Sequence, residues 1–494
     1  MSNALSALWL LSVLCLTGCS EPLEDLNVVS GDSGPERSTA LQIAVFESGL
    51  RPRYGVKGVP AETWSLADRM RHYQVPGVSV AVAIDGELAW AKGYGTAEVG
   101  GDRSVDTATL FQAASLSKPV ASLTALKLVE GGQLALDEPI SSYLTSWEIP
   151  QTEHGWETEV TARQLMSHRA GTTVHGFVGY RPDGRVPTVV QILDGVPLAE
   201  TPPVIVNQRP GASYRYSGGG FTILQLAIED VTGARFADVA AREVLGPAGM
   251  ERSHFEFSSG DANFAVGHVG SQSRPIEGSG LIYPQLAAAG LWTTPSELVR
   301  LGMMVASARN EGDRFLDRDL ARQIVPMSLD DPGLGFGLNN DGDGLAFVHS
   351  GHNPGYSARW ITYADGRASV AVLTNSDTGG DLVREIFSAL GYLYGWRQDG
   401  FIERATVELS TEWVDGIVGS YSFSPDDENP VATISVEDGV LWIEGEIVAR
   451  TPFYPASRTN FFVTRGLNFA IETDSVGNPV ALDVEGEFQL LKID

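Results

Sequence analysis

The chain contains few cysteines and few lysines. Its two cysteines, Cys15 and Cys19, lie within the first nineteen of 494 residues, so the rest of the chain has no disulfide available. Five of the 34 basic residues are lysines, at positions 57, 92, 118, 127 and 492. Because arginine cannot be deprotonated in a protein, a side-chain amine that acts as a base must come from one of these five.

Positive charge is scarce overall. The formal net charge is −28, with 43% hydrophobic and 19% charged residues. These fractions are typical of a soluble globular protein rather than a disordered one. Since phosphate groups would be repelled, the charge argues against nucleic acid or an anionic membrane surface as a binding partner.

The sequence also lacks long hydrophobic runs beyond its beginning. Ala4 to Leu16 is apolar but short of a membrane span, and it ends in Leu16-Thr17-Gly18-Cys19. Residues 1–19 look like a bacterial lipoprotein signal peptide in which Cys19 becomes lipidated, although residues 1–10 carry no lysine or arginine. An ordinary secretory signal or an uncleaved anchor stays open. We expect the protein in the bacterial cell envelope, lipid-anchored on the periplasmic side or the cell surface, or otherwise secreted.

Composition and periodicity predict three further segments. Residues 20–50 are expected to form a flexible tether, residues 51–398 a main domain, and residues 399–494 a small all-β domain built of hairpins. In the main domain, helices are predicted near 61–72, 115–130, 160–168, 221–231, 295–306 and 381–394, and strands near 78–84, 88–91, 345–349, 358–363 and 368–374. Strands at both ends of a helical block predict one sheet with a helical lobe inserted, and an active site where the two meet.

The most informative stretch leads from Phe111 into an apolar helix. Ser115 and Lys118 are three residues apart, so on a helix they share one face. A serine hydroxyl becomes a strong nucleophile when a neighbouring base, such as a neutral lysine amine, takes its proton. An exposed lysine at the start of a surface helix is the alternative interpretation of this spacing.

Two glycine-containing stretches could complete such a site. Tyr216 lies in a glycine-rich loop before a helix, where its phenol could shuttle a proton, although a packed loop tyrosine is an equally ordinary explanation. His349 follows a predicted strand, and Gly351 would let a substrate backbone approach closely. The backbone N–H of His352 could pair with that of Ser115 to hold an oxyanion.

Taken in order, Ser115-x-x-Lys118, Tyr216-Ser217-Gly218 and His349-Ser350-Gly351 resemble the three motifs of the serine β-lactamase and penicillin-binding-protein superfamily. The similar branch contains class C β-lactamases, D-alanyl-D-alanine carboxypeptidases and family VIII esterases. The resemblance implies an α+β fold of the β-lactamase/transpeptidase type, with an antiparallel sheet flanked by helices and an inserted helical lobe, before the small all-β domain. It also implies no metal and no cofactor.

The resemblance implies a role for each motif residue. Ser115 would be the acylated nucleophile, Lys118 the base with a pKa lowered by burial, and Tyr216 a proton relay. His349, Ser350, Gly351, His352 and Gly218 would bind the substrate or its oxyanion. Implied partners are a small-molecule or peptide substrate and, through Cys19, a membrane; the oligomeric state stays open.

Two departures from the family pattern bear on the substrate. Gly218 replaces an asparagine that contacts the acyl-side amide, and His349 replaces a lysine, leaving a weaker and pH-dependent charge for a substrate carboxylate. Both favour carboxylic esters or small D-amino-acid peptides and amides over β-lactams. A non-catalytic or slowly deacylating protein that binds cell-wall material or β-lactams stays open as the alternative.

Overall fold

A computed structural model describes residues 35–256, 262–278, 280–312, 315–425, 427, 430–486 and 488–493. The predicted signal peptide, Cys19 and the first part of the predicted tether lie outside these residues.

Helices and strands alternate along the main domain. In chain order its helices are α1 (Pro35–Ser48), α2 (Leu66–His72), α3 (Ser117–Glu130), α4 (Ala162–Met166), α5 (Val189–Asp194), α6 (Gly218–Thr232), α7 (Phe236–Ala240), α8 (Leu286–Ala289), α9 (Pro295–Asn310), α10 (Arg318–Ile324) and α11 (Gly379–Tyr394). Its strands are β1 (Tyr54–Val56), β2 (Gly77–Ile84), β3 (Glu87–Gly95), β4 (Phe111–Ala114), β5 (His268–Val269), β6 (Arg274–Pro275), β7 (Leu291–Thr293), β8 (Gly337–Asn339), β9 (Ala346–Asn353), β10 (Tyr356–Tyr363), β11 (Ala368–Thr374) and β12 (Ile402–Arg404). Within the described residues, no helix combines the length and the apolar character that crossing a lipid bilayer requires.

One antiparallel sheet of six strands, in the order β3-β2-β11-β10-β9-β8, organises the main domain. The pairing of β2 with β11, in which Val80 lies opposite Val372, joins the two ends of the domain within the sheet. Along β2 the side chains alternate between two clusters: Val80 packs towards α11, and Ala81 packs on the opposite face. The prediction of one sheet built from both ends of the domain is confirmed.

The helical lobe packs against this sheet, and the helices of the lobe surround α3. Nearly every residue of α3 is buried, which explains why its sequence shows little amphipathic pattern. A short ladder between β4 and β7 holds the residues that precede α3 against the sheet side of the lobe. This pairing therefore fixes the position of the strand that leads into Ser115.

The predicted flexible tether over residues 20–50 is wrong in its second half, where α1 forms. Phe46 is 1% exposed and joins the cluster between α11 and the sheet. Its ring centroid lies 5.5 Å from that of Trp90. The polar composition around residues 20–39 hid this anchor, because one well-buried aromatic side chain is enough to dock a short helix.

The C-terminal domain is one antiparallel sheet of nine strands with a short helix, α12 (Thr411–Ile417). Its strands are β13 (Gly419–Ser422), β14 (Ala432–Glu437), β15 (Val440–Gly445), β16 (Thr451–Pro452), β17 (Tyr454–Pro455), β18 (Asn460–Phe462), β19 (Asn468–Thr473), β20 (Pro479–Val484) and β21 (Phe488–Lys492). Aromatic side chains such as Phe453 and Phe461, stacked at 4.6 Å, fill its core. Tyr54 of the main domain packs edge-on against Phe462, at 5.9 Å between ring centroids. The predicted α+β fold followed by an all-β domain is confirmed.

We predict that Phe46→Ala lowers the free energy of unfolding by about 3–5 kcal/mol, because it leaves a cavity between α11 and the sheet. The measurement is urea unfolding followed by tryptophan fluorescence. Leu41→Ala, on the same helix but 56% exposed, is the matched control and should change stability by less than about 0.5 kcal/mol. Equal effects of the two substitutions would contradict the docking of α1.

Candidate active site

Ser115 lies in a tight turn between β4 and α3. Ala114 immediately before it adopts a left-handed backbone with φ of 50°, which is uncommon for a residue with a side chain. The N–H of Leu116 closes the turn by donating to the Ala113 carbonyl at 3.0 Å. The turn thus presents the Ser115 side chain, and strained backbone of this kind is concentrated at functional sites.

The Lys118 amine contacts the Ser115 hydroxyl directly. Its Nζ lies 2.9 Å from Ser115 Oγ and 2.8 Å from the Ala288 carbonyl oxygen. Lys118 is 2% exposed, and no described carboxylate forms an ion pair with it. Burial lowers the pKa of Lys118 from 10.5 to about 7, as the sequence predicts. A neutral amine is therefore available near neutral pH.

Tyr216 completes the group. Lys118 Nζ lies 4.9 Å from the centroid of the Tyr216 ring. Burial raises the pKa of Tyr216 to about 12, while the neighbouring Ser115 side chain acts in the opposite direction. The phenol is thus protonated at neutral pH and close to the nucleophile, as a proton donor must be.

His168, which lies two residues after the end of α4, has a role that the sequence did not indicate. Its ring stacks on Tyr216 at 4.3 Å, and its Nδ1 accepts a hydrogen bond from the Ser217 N–H at 3.0 Å. Burial, and next the charge of Lys118, lower the pKa of His168 well below its usual range. A neutral imidazole therefore holds the tyrosine ring and its loop in place. The sequence signal for this residue is only a histidine at the end of the helix predicted near 160–168.

Strand β9 brings the third motif to the same turn. A Cβ atom on Gly351 would lie 2.2 Å from the Ala113 carbonyl oxygen. The protein's own β4 occupies the space on the Cβ side of Gly351, and the expectation that a substrate backbone lies close to this glycine stays a prediction. Glycine is needed here so that β9 can approach the nucleophile turn.

Two backbone N–H groups fit the predicted oxyanion site. Among the described residues, the Ser115 N–H donates to no acceptor. Asn353 and Tyr356 pair across a two-residue turn, and bonding in an antiparallel ladder alternates. The N–H of His352, one residue before Asn353, therefore points away from β10. Both donors lie in the residues that line the Ser115 cavity.

His349 is not the cation that the sequence predicts. Burial, followed by the charge of Lys118, lowers its pKa to about 3, so its imidazole is neutral at pH 7. Arg359 on β10, opposite Ser350 in the register, supplies a permanent positive charge instead. Its guanidinium donates to Ser350 Oγ at 2.6 Å and pairs with Asp399. Sequence spacing could not identify Arg359, because its position depends on strand pairing.

All the substrate-site residues predicted from the sequence line one cavity of about 550 Å³. They are Ser115, Lys118, Tyr216, Gly218, His349, Ser350, Gly351 and His352. Neighbours that the sequence did not predict are His175, Phe177, Tyr214, Asn353 and Arg359. No described residue of the C-terminal domain lines this cavity. The individual catalytic roles stay predictions.

Cavity volume alone does not locate this site. A larger groove, of about 690 Å³, lies between α2 and β3. Its Lys92 is ion-paired with Glu47 at 2.6 Å and forms no hydrogen bond to a serine of the described residues. The Ser115–Lys118 contact is what distinguishes the smaller cavity. Among the described residues, no group of three histidine, cysteine or acidic side chains is placed to hold a metal ion.

Known proteins resemble this chain over most of its length. Penicillin-binding protein 4* of Bacillus subtilis (strain 168) is 24% identical over 426 residues, covering 80% of this chain and 89% of that protein. Esterase EstB of Burkholderia gladioli is 28% identical over 248 residues, covering 47% and 61% respectively. The structure of D-amino acid amidase from Ochrobactrum anthropi SV3 has the same fold, with a TM-score of 0.52 at 18% identity over 67% of this chain and 96% of that one.

The family model described as Beta-lactamase matches residues 65–391, about two thirds of the chain. This match includes all three motifs and confirms the resemblance drawn from them. The protein therefore belongs to the Beta-lactamase family and is a serine hydrolase of the β-lactamase and penicillin-binding-protein superfamily.

Proposed function

We propose that the protein hydrolyses carboxylic esters, or small peptides and amides of D-amino acids, through an acyl-enzyme formed on Ser115. The observation that carries this proposal is the 2.9 Å contact between Ser115 Oγ and a buried lysine amine. A hydroxyl beside an uncharged base in a cavity can attack a carbonyl carbon. No other described residue pair in that cavity is hydrogen-bonded in this way.

The reaction has two halves. Lys118 takes the hydroxyl proton as Ser115 Oγ bonds to the substrate carbonyl carbon. The N–H groups of Ser115 and His352 hold the resulting oxyanion, and the loss of one such donor typically costs about 10²–10³ in rate. Tyr216 gives its phenol proton to the leaving group as the bond between that group and the carbonyl carbon breaks, and it takes in exchange the proton that Lys118 holds. Water, deprotonated through the same groups, then attacks the ester and restores Ser115.

The substrate class follows from the walls of the cavity. Arg359 supplies a permanent positive charge for a substrate carboxylate, which suits a peptide with a free C-terminus. Gly218 has no side chain to bind the acyl-side amide of a β-lactam or of a peptide. Weak or absent β-lactamase activity is therefore part of the proposal. Two proteins that this chain resembles, an esterase and a D-amino acid amidase, are consistent with it.

The function is tested with purified full-length protein and three substrates: p-nitrophenyl butyrate, a D-Ala-D-Ala peptide and a chromogenic cephalosporin. We expect turnover of the ester or the peptide exceeding that of the cephalosporin. Mass spectrometry should find a transient acyl adduct on the peptide containing Ser115, and Ser115→Ala should remove both adduct and turnover. A long-lived adduct without product would contradict hydrolysis and favour a slowly deacylating binding protein.

We predict that kcat/KM rises with pH through an acid limb near pH 7. The neutral form of Lys118 is the active one, and its pKa is lowered to about 7, so protonation below that pH removes the base. Lys118→Arg should cost about 10²–10⁴ in kcat/KM, because a guanidinium stays charged. Lys127→Arg is the matched control on the same helix. Its Nζ contacts the Phe315 carbonyl at 2.9 Å and pairs with Glu130, outside the cavity. A pH-independent profile would contradict the assignment of the base.

We also propose that the chain is held in a bacterial envelope by a lipid on Cys19. Expressed in full in a bacterium, it should partition into the membrane fraction and incorporate labelled palmitate. Cys19→Ser should release it and abolish labelling, whereas Cys15→Ser, four residues earlier, should change neither. Release by both substitutions, or by neither, would contradict lipidation at Cys19.

A further inference from the structure

A short loop, residues 173–177, is clamped against the start of α6. The N–H groups of Gly218 and Gly219 donate to the carbonyls of His175 and Val174 at 2.9 and 3.0 Å. Ser217 Oγ, which caps the helix, donates to the Thr173 carbonyl at 2.7 Å. These bonds satisfy N–H groups that the first turn of a helix otherwise leaves without partners. The position of the loop is therefore set by the helix that carries the second motif.

The loop holds this position at a conformational cost. Val174 has a φ of 63°, a left-handed conformation that a β-branched residue rarely adopts. Such strain persists only where the surrounding structure fixes it, and it is common at ligand-binding sites. The consequence is that the next residues, His175 to Phe177, are carried into the catalytic cavity.

The Phe177 ring occupies the space beside Gly218. A Cβ atom on Gly218 would lie 2.9 Å from Phe177 Cε2 and 3.1 Å from the His175 carbonyl oxygen. A side chain at position 218 and the ring of Phe177 are thus mutually exclusive unless one of them moves. Phe177 also packs against the core of the helical lobe, which limits its movement.

Phe177 gives the α6 side of the cavity an apolar surface. Phe177 lies beside Gly218, and Ala288 and Ala289 line the same cavity. A phenyl ring offers no hydrogen-bond donor or acceptor, so a substrate amide buried against it would lose its bonds to water without replacement. The exposed His175 ring stacks on Tyr216 at 4.8 Å and is a polar group on this side, so its contribution needs its own test.

We propose that Phe177, packed over Gly218, is a specificity-determining residue that selects substrates with an aromatic or aliphatic group, rather than an amide, on the α6 side of the reactive carbonyl. The inference rests on the proposed hydrolysis at Ser115 and narrows its substrates. It places apolar acyl esters and amides ahead of acylamino compounds.

The test compares p-nitrophenyl esters with one leaving group and different acyl groups: acetate, phenylacetate and N-acetylglycinate. Full-length protein should show a kcat/KM for phenylacetate about tenfold above that for N-acetylglycinate, the size of effect typical of one pocket contact. Phe177→Ala should lower the ratio of phenylacetate to acetate about tenfold, and Phe177→Leu should keep most of it. Val178→Ala, 53% exposed beside Phe177 and outside the cavity, is the matched control and should leave the ratios unchanged.

A second arm tests the exclusion between positions 177 and 218. Gly218→Asn alone should lose activity on every ester, because its Cβ meets Phe177 and the His175 carbonyl. Gly218→Asn combined with Phe177→Ala should regain activity and prefer N-acetylglycinate. Melting temperatures and labelling of Ser115 by a fluorophosphonate identify variants that fail to fold.

The outcomes separate this inference from the proposed function. A protein that turns over none of the esters and is not labelled at Ser115 overturns the function itself. Turnover of acetate with a wild-type preference for N-acetylglycinate, or a preference reversed by His175→Ala and not by Phe177→Ala, overturns only the role of Phe177. Equal losses on all three esters in correctly folded Phe177→Ala would also overturn it, because they would indicate a merely structural residue.

Discussion

The chemistry of the site depends on the burial of one amine, that of Lys118. A pKa lowered from 10.5 to about 7 means that the ammonium form of Lys118 is roughly 5 kcal/mol less stable here than in water. The amine sits at the base of α3, a helix buried on nearly all sides, where the Ala288 carbonyl and Ser115 hydroxyl are its hydrogen-bond partners. An acidic side chain beside it would restore the charge and remove the base. The exclusion of water from the surroundings of Lys118 is therefore a requirement of the chemistry as well as a result of packing.

The need to exclude water also explains why glycines lie where the motifs meet. Gly351 lets β9 reach the Ala113 carbonyl, and Gly218 lets the loop carrying Phe177 close over α6. Each removes a side chain that would hold two backbone segments apart and leave room for water. Sheet and helical lobe can then pack closely together beside the buried Lys118. Close packing of backbone and a neutral lysine are thus two aspects of one arrangement.

The sequence predicts those features that depend on the order of residues along the chain. Ser115, Lys118 and Tyr216 were predicted because three motifs, in order along the chain, resemble those of a known superfamily, and the sheet was predicted because strand periodicity is visible at both ends of the domain. Arg359 and Phe177 were missed, since one depends on strand register and the other on a loop folded back onto a helix. The predicted positive charge of His349 was wrong, because its burial next to Lys118 cannot be inferred from the residues that neighbour it in the sequence. The helix α1 was missed because its docking depends on Phe46 rather than on overall composition.

The electrostatics of the cavity favour the transition state over the resting state. Burial disfavours protonation of Lys118, and burial followed by the charge of Lys118 disfavours protonation of His168 and His349, so all three side chains can be neutral in the resting site. When Ser115 attacks, Lys118 gains a proton just as the substrate oxygen gains negative charge. These opposite charges form together in a low dielectric, where their attraction is several times stronger than in water. Burial makes the charged form of Lys118 unfavourable and so keeps the base unprotonated at rest. During the reaction, the negative charge of the oxyanion offsets this cost.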